Sequence, residues 1–124
     1  MGTSSRILVV EDDPALSGLL RQQLEGDGFL VLMAETGEQA MQLAAKEKPS
    51  VILLDIMLPD IDGVTVLTQL AKSPTTSTIP VIVLTNLEED GSRDQVAAIG
   101  KYEYIIKSSV QLDEIVARVK AKLK

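Results

Sequence analysis

The sequence predicts an α/β protein, a five-stranded parallel sheet with helices on both faces. Three observations lead there. Short apolar runs alternate five times with helix-patterned stretches along 124 residues, and strict strand-helix alternation implies a parallel sheet. Three of the runs, RILVV (6–10), VILLD (51–55) and PVIVLT (80–85), are nearly continuous in apolar residues, as strands covered on both faces require. Acidic, hydroxyl or amine side chains stand at the run ends, where open α/β sheets build their sites.

The elements follow in order. RILVV is the first strand, and Asp12, Asp13 and Pro14 then open a helix with Leu16, Leu19, Leu20 and Leu24 on one face. Gly26 and Gly28 end it. FLVLM (29–33) reads as a second strand, and its looser flanks suit a sheet edge. Thr36 caps a second helix carrying Ala40, Leu43 and Ala44, closed before Pro49. VILLD is the third strand, and a helix with Val64, Leu67, Leu70 and Ala71 inward follows Gly63. SPTTSTIP (73–80) is a polar loop leading into the fourth strand. Residues 88–99 form a weaker helix ended by Gly100, and YEYII (102–106) is the fifth strand. Leu112, Ile115, Val116, Val119 and Leu123 mark the last helix at 3.6-residue spacing. No repeat or linker divides the chain, so residues 6–124 are expected as one domain after a disordered start at 1–5. The strand order chosen is 2-1-3-4-5, the flavodoxin-like arrangement.

Composition narrows the chemistry. Phe29, Tyr102 and Tyr104 are the only aromatics, so the core must be aliphatic. A net charge of −6 argues against direct nucleic-acid binding, which needs Lys and Arg against phosphate. The absence of Cys removes disulfides and thiolate metal sites and fits the cytoplasm. The absence of His removes the commonest general base and transition-metal ligand. No apolar run approaches the ~18 residues of a membrane span.

In the chosen order, Glu11, Asp12 and Asp13 from strand 1, Asp55 from strand 3, Thr85 and Asn86 from strand 4 and Lys107 from strand 5 share one end of the sheet. Clustered carboxylates with no His or Cys select a hard cation such as Mg²⁺, Mn²⁺ or Ca²⁺. A hydroxyl and an amine suit phosphoryl oxygens. A free carboxylate can attack phosphorus and form an aspartyl phosphate. Asp55, at the lip of a buried strand, is the expected acceptor.

VVEDD (9–13), DIMLPDIDG (55–63), VLT (83–85) and YIIK (104–107), in that order and spacing, resemble the receiver domain of bacterial two-component response regulators. The likeness runs from about Arg6 to the end of the chain. It implies a signalling module rather than an enzyme in its own right, with self-catalysed phosphotransfer and autodephosphorylation. Asp55 would take a phosphoryl group from the phosphohistidine of a sensor histidine kinase or phosphotransfer protein. Asp12 and Asp13 would hold Mg²⁺ together with Asp55 and the Met57 carbonyl. Thr85 and Lys107 would bind phosphoryl oxygens, and Tyr104 would turn inward as Thr85 moves. The surface of the fourth helix, fifth strand and fifth helix would then change partners, with homodimerisation there left open. The output would lie in an unidentified partner or in a longer regulator.

Two features depart from the family pattern. Ser108 follows Lys107 where proline is usual, so the peptide is either trans or strained, and Ser108 with Gln111 could form a capping box. Asn86 stands where a small residue is common and is expected to modulate dephosphorylation. Plainer readings stand beside these roles. Asp12 and Asp13 could simply cap a helix; Asp60 and Asp62 start a turn; Pro59 fixes the loop; Gly63 opens a helix; Tyr104 is equally explained as a plain strand residue. The second hypothesis is a receiver-like interaction domain that signals by binding alone.

Overall fold

The computed structural model describes residues 5–85 and 92–123. Five parallel strands, β1 (Arg6–Val10), β2 (Leu30–Ala34), β3 (Val51–Asp55), β4 (Val81–Thr85) and β5 (Glu103–Ile106), pair in the order β2-β1-β3-β4-β5. The helices between and after them are α1 (Pro14–Gly26), α2 (Gly37–Glu47), α3 (Gly63–Lys72), α4 (Ser92–Ile99) and α5 (Leu112–Lys122). The predicted class, order and edge position of β2 are those observed.

The sheet alternates its side chains between two aliphatic layers, as period-2 geometry demands. Leu8, Val10, Ile52, Leu54 and Val83 pack under α2, α3 and α4 through Ala40, Ala44, Val66, Leu67, Leu70 and Val96. Ile7, Val9, Leu53, Ile82, Leu84 and Ile105 pack under α1 and α5 through Leu20, Leu24, Ile115, Val116 and Val119. Burying each large aliphatic side chain stabilises by roughly 1.5–3 kcal/mol. Every residue of β3 and β4 is buried, whereas β2 opens on a half-exposed Leu30.

Local chemistry sets the boundaries. Asp13 caps α1 and Pro14 supplies its first turn, where a missing N–H costs nothing. Gly28 takes φ +94° just beyond the helix, a conformation that favours glycine. Thr36 Oγ1 accepts from Gln39 N at 3.1 Å and caps α2, as expected. Strands β2 and β5 each begin one residue later than the apolar runs suggest. Ser5 joins the sheet, its carbonyl accepting from Leu30 N at 2.9 Å. The polar loop after α3 is partly internal, because buried Thr76 donates its hydroxyl to the Leu70 carbonyl at 2.7 Å.

The connection into α5 differs from the capping-box expectation. Lys107–Ser109 form a 3₁₀ turn, and Gln111 caps α5 without a side-chain hydrogen bond. Among the described residues no peptide bond is cis. Asn86, the start predicted for the fourth helix at 88–91 and residues 1–4 of the polar start lie outside the described residues. No described helix is long and apolar enough to cross a membrane.

Candidate functional site

The carboxyl ends of β1, β3, β4 and β5 meet at one edge. Register places them there: Val10 pairs with Leu54, Asp55 with Leu84, and Thr85 with Ile106. The next residues along β1 and β5 are Glu11 and Lys107. Asp55 is only 3% exposed although it ends its strand. Its Oδ1 accepts from Met57 N at 3.0 Å and its Oδ2 from Lys107 Nζ at 3.0 Å. Lys107 also donates to Glu11 Oε1 at 2.5 Å, so two buried carboxylates share one ammonium.

Glu11, Asp12 and Asp55 each offer an oxygen within 4.8 Å of the others. All-oxygen donors of this kind suit a hard divalent cation. Asp13, expected as a metal ligand, is not in this group, and its Oδ1 accepts from Ala15 N at 3.0 Å at the start of α1. Glu11 takes the inner position instead, 2% exposed, with Oε2 accepting from Asp13 N at 3.1 Å. The signal for this was present in the sequence. Asp before Pro marks a helix cap, and the first residue after β1 falls opposite Asp55.

The electrostatics follow from burial. Desolvation, then a hydrogen bond and charge repulsion from Asp55, push the Glu11 pKa up to about 7, although Lys107 pulls the other way. Burial alone would lower the Lys107 pKa; its bonds to Glu11 and Asp55 outweigh that and raise it. The acids and Lys107 line a cleft of about 470 Å³, with Met57, Leu58 and Pro59 on its rim. The Met57 side chain is 54% exposed.

Thr85 is fully buried at the end of β4. Tyr104, opposite Val83, shares its sheet face by period-2 alternation and is partly buried against the layer under α2, α3 and α4. It also lines a groove of about 380 Å³ with Val96, Ala97 and Gly100. On the far side of β5, Arg118 of α5 reaches Glu103 at 2.7 Å and Glu114 at 3.0 Å.

Gly63 has a task beyond opening α3. Its N–H donates to the Ile56 carbonyl at 2.7 Å, closing the loop that follows Asp55. Asp60 was read as a turn starter, but its carboxylate reaches across to α2, accepting from Gly37 N at 2.8 Å and Glu38 N at 3.1 Å.

Known proteins are similar to this chain in sequence and in fold. The profile of the response regulator receiver domain matches residues 7–120. The DNA-binding dual master transcriptional regulator RpaA of Synechocystis is 39% identical over 96% of this chain, which spans about half (49%) of RpaA. The BeF3-activated receiver domain of Klebsiella pneumoniae RstA superposes with a TM-score of 0.85 at 32% identity, covering 97% of this chain and 99% of that one. The receiver domain of sensor histidine kinase PA1611 from Pseudomonas aeruginosa, solved with a magnesium ion in its active site cleft, gives 0.84 at 25% identity, covering 95% and 96%. With the profile running through every strand and into the last helix, the chain belongs to the receiver domain family of two-component response regulators.

Proposed function

We propose that this chain is a phosphorylatable switch whose acceptor is Asp55. The observation that carries the reading is a buried strand-end carboxylate held by Lys107, beside Glu11 and Asp12, at the floor of an open cleft. A carboxylate oxygen of Asp55 forms the new P–O bond. The P–N bond of a phosphohistidine on a sensor histidine kinase or phosphotransfer protein breaks, and its electron pair stays on the imidazole nitrogen. Glu11, Asp12 and Asp55, with the Met57 carbonyl, are the groups that would hold Mg²⁺. When bound, Mg²⁺ supplies positive charge beside the transferring phosphoryl oxygens, the main need of such a reaction. Lys107 adds a second cation there, and Thr85 supplies a hydroxyl.

The switch then runs through Thr85 and Tyr104, which share one sheet face, to the surface of α4, β5 and α5. A phosphoryl group that draws Thr85 favours one arrangement of Tyr104 over another, and partners read that population shift. The same surface is the proposed site of any homodimer. The output lies in a partner or in a further domain of a longer regulator, which this surface contacts as protein, since the chain's own net charge of −6 offers no match for nucleic acid. A kinase donor and a cysteine-free chain fit the cytoplasm.

Incubation with acetyl phosphate and Mg²⁺, followed by intact mass, tests the reading. A phosphate adduct is expected that needs Mg²⁺ and disappears in Asp55→Asn. No adduct in the wild type, and no response to beryllofluoride, would favour the interaction-only module.

A further inference from the structure

We propose that Asp60 is a positioning residue that anchors the loop after Asp55 to the start of α2, and that this anchor sets the affinity of the acidic cleft for Mg²⁺. The inference rests on the Asp55 site proposed above.

The geometry has three parts. Asp60 spreads its two oxygens over the first two amides of α2, at 2.8 Å on Gly37 N and 3.1 Å on Glu38 N. These are bonds to a carboxylate at the positive end of a helix, a strong combination. Thr36 already serves the next amide, Gln39 N, from within the same segment. The helix therefore has its own cap, and Asp60 adds two bonds from a loop 22 and 23 residues away in sequence.

Packing locks the same junction. Gly37 carries no side chain, and a Cβ there would lie 2.7 Å from Val66 Cγ2 and 3.2 Å from Ile61 Cγ1. Ile61, beside Asp60, thus sits against the helix start.

The loop between the anchors forms the cleft rim. Its base is closed by the bond from Gly63 N to the Ile56 carbonyl, at 2.7 Å. Met57, Leu58 and Pro59 lie between that closure and Asp60, and Met57 N binds Asp55 Oδ1. Leu58 packs against the core layer under α2, α3 and α4 while Met57 is half-exposed, and the α2 anchor adds a polar restraint on this stretch from outside the loop. The Gly37 N–H, the largest influence, holds the Asp60 carboxyl below its ordinary range, so the anchor is charged at neutral pH.

Calorimetric Mg²⁺ titration of the wild type, Asp60→Ala, Asp60→Asn and Thr36→Ala decides the matter, with thermal melting alongside. Asp60→Ala should weaken Mg²⁺ by about tenfold, the scale seen when groups that orient metal ligands are removed. Amide exchange at Met57, Leu58, Asp60 and Ile61 should quicken. Asp60→Asn keeps an acceptor oxygen and should recover part of the affinity. Thr36→Ala weakens the α2 cap without freeing the loop, so it should lower the melting temperature and leave Mg²⁺ affinity unchanged.

Wild-type affinity in folded Asp60→Ala would overturn the proposal, as would an equal loss in Thr36→Ala. A wild type that binds no Mg²⁺ would overturn it together with the metal site. If Mg²⁺ binds and responds to Asp60 as stated while no phosphate adduct forms on the wild type, the anchor stands and the phosphorylation reading falls.

Discussion

Glu11→Gln should make the metal-free protein more stable above neutral pH and at the same time weaken its hold on Mg²⁺. The folded Glu11 pKa lies near 7, against 4.5 for an unperturbed glutamate. The folded state therefore binds the Glu11 proton more tightly than the unfolded state. That stabilisation is complete below pH 4.5 and is lost as pH rises through about 7. The loss amounts to roughly 3 kcal/mol, since each pKa unit is about 1.4 kcal/mol. Urea denaturation in EDTA at pH 5 and pH 8 should show this fall in the wild type and not in Glu11→Gln. Lys107 donates to Asp55 Oδ2 at 3.0 Å in the wild type, a bond that Glu11→Gln does not remove. Mg²⁺ should restore the wild type at pH 8 and do far less for the variant. A variant less stable than wild type at pH 8 in EDTA would show that the Lys107 pairing outweighs the burial of Glu11.

Gly63→Ala should lower stability by about 3 kcal/mol, the scale of overpacking against atoms that cannot rotate away. A Cβ there would sit 2.5 Å from Ile56 Cα and 2.6 Å from the Asp55 carbonyl oxygen. Relief requires the backbone beside Asp55, the proposed acceptor, to shift, so phosphate uptake should fall with the urea midpoint. Gly18 is the control. It lies exposed within α1, and nothing lies within 4 Å of its would-be Cβ. Gly18→Ala should stabilise by roughly 0.5–1 kcal/mol through helix propensity alone. Equal effects at the two sites would refute the steric account of Gly63.

Much of the fold was legible because buried parallel strands write themselves as apolar runs. VILLD gave β3 without error, and Asp55 declared itself by interrupting the pattern. Thr36 and the stripe from Leu112 to Leu123 were equally plain. The misreadings share one cause: local chemistry offered two uses for a residue, and tertiary structure chose. Asp13 could ligate or cap; its Oδ1 takes the cap, and the carboxylates that tertiary structure gathers are Glu11, Asp12 and Asp55. Ser108 could cap α5, but the chain turns tightly there as it carries Lys107 to the acids. Asp60 looks like a turn residue because its partner, Gly37, is remote in sequence. Gly63 does open α3 as read, and only its second task was hidden, because the backbone it must approach becomes visible only when the loop closes.

The ammonium that neutralises the site stands 52 residues after Asp55 and 96 after Glu11. On a translating ribosome the acids emerge first, and at 5–20 residues per second Lys107 follows Asp55 by about 3 to 10 seconds. During that interval β1, β2 and β3 can pair, but β5, and with it the counter-charge, does not yet exist. Pairing of the Asp55 carboxylate is therefore a property of the finished sheet. Until β5 is made, Glu11 and Asp55 stand side by side without their shared cation, so the last strand of the sheet completes the charge balance of the first and third.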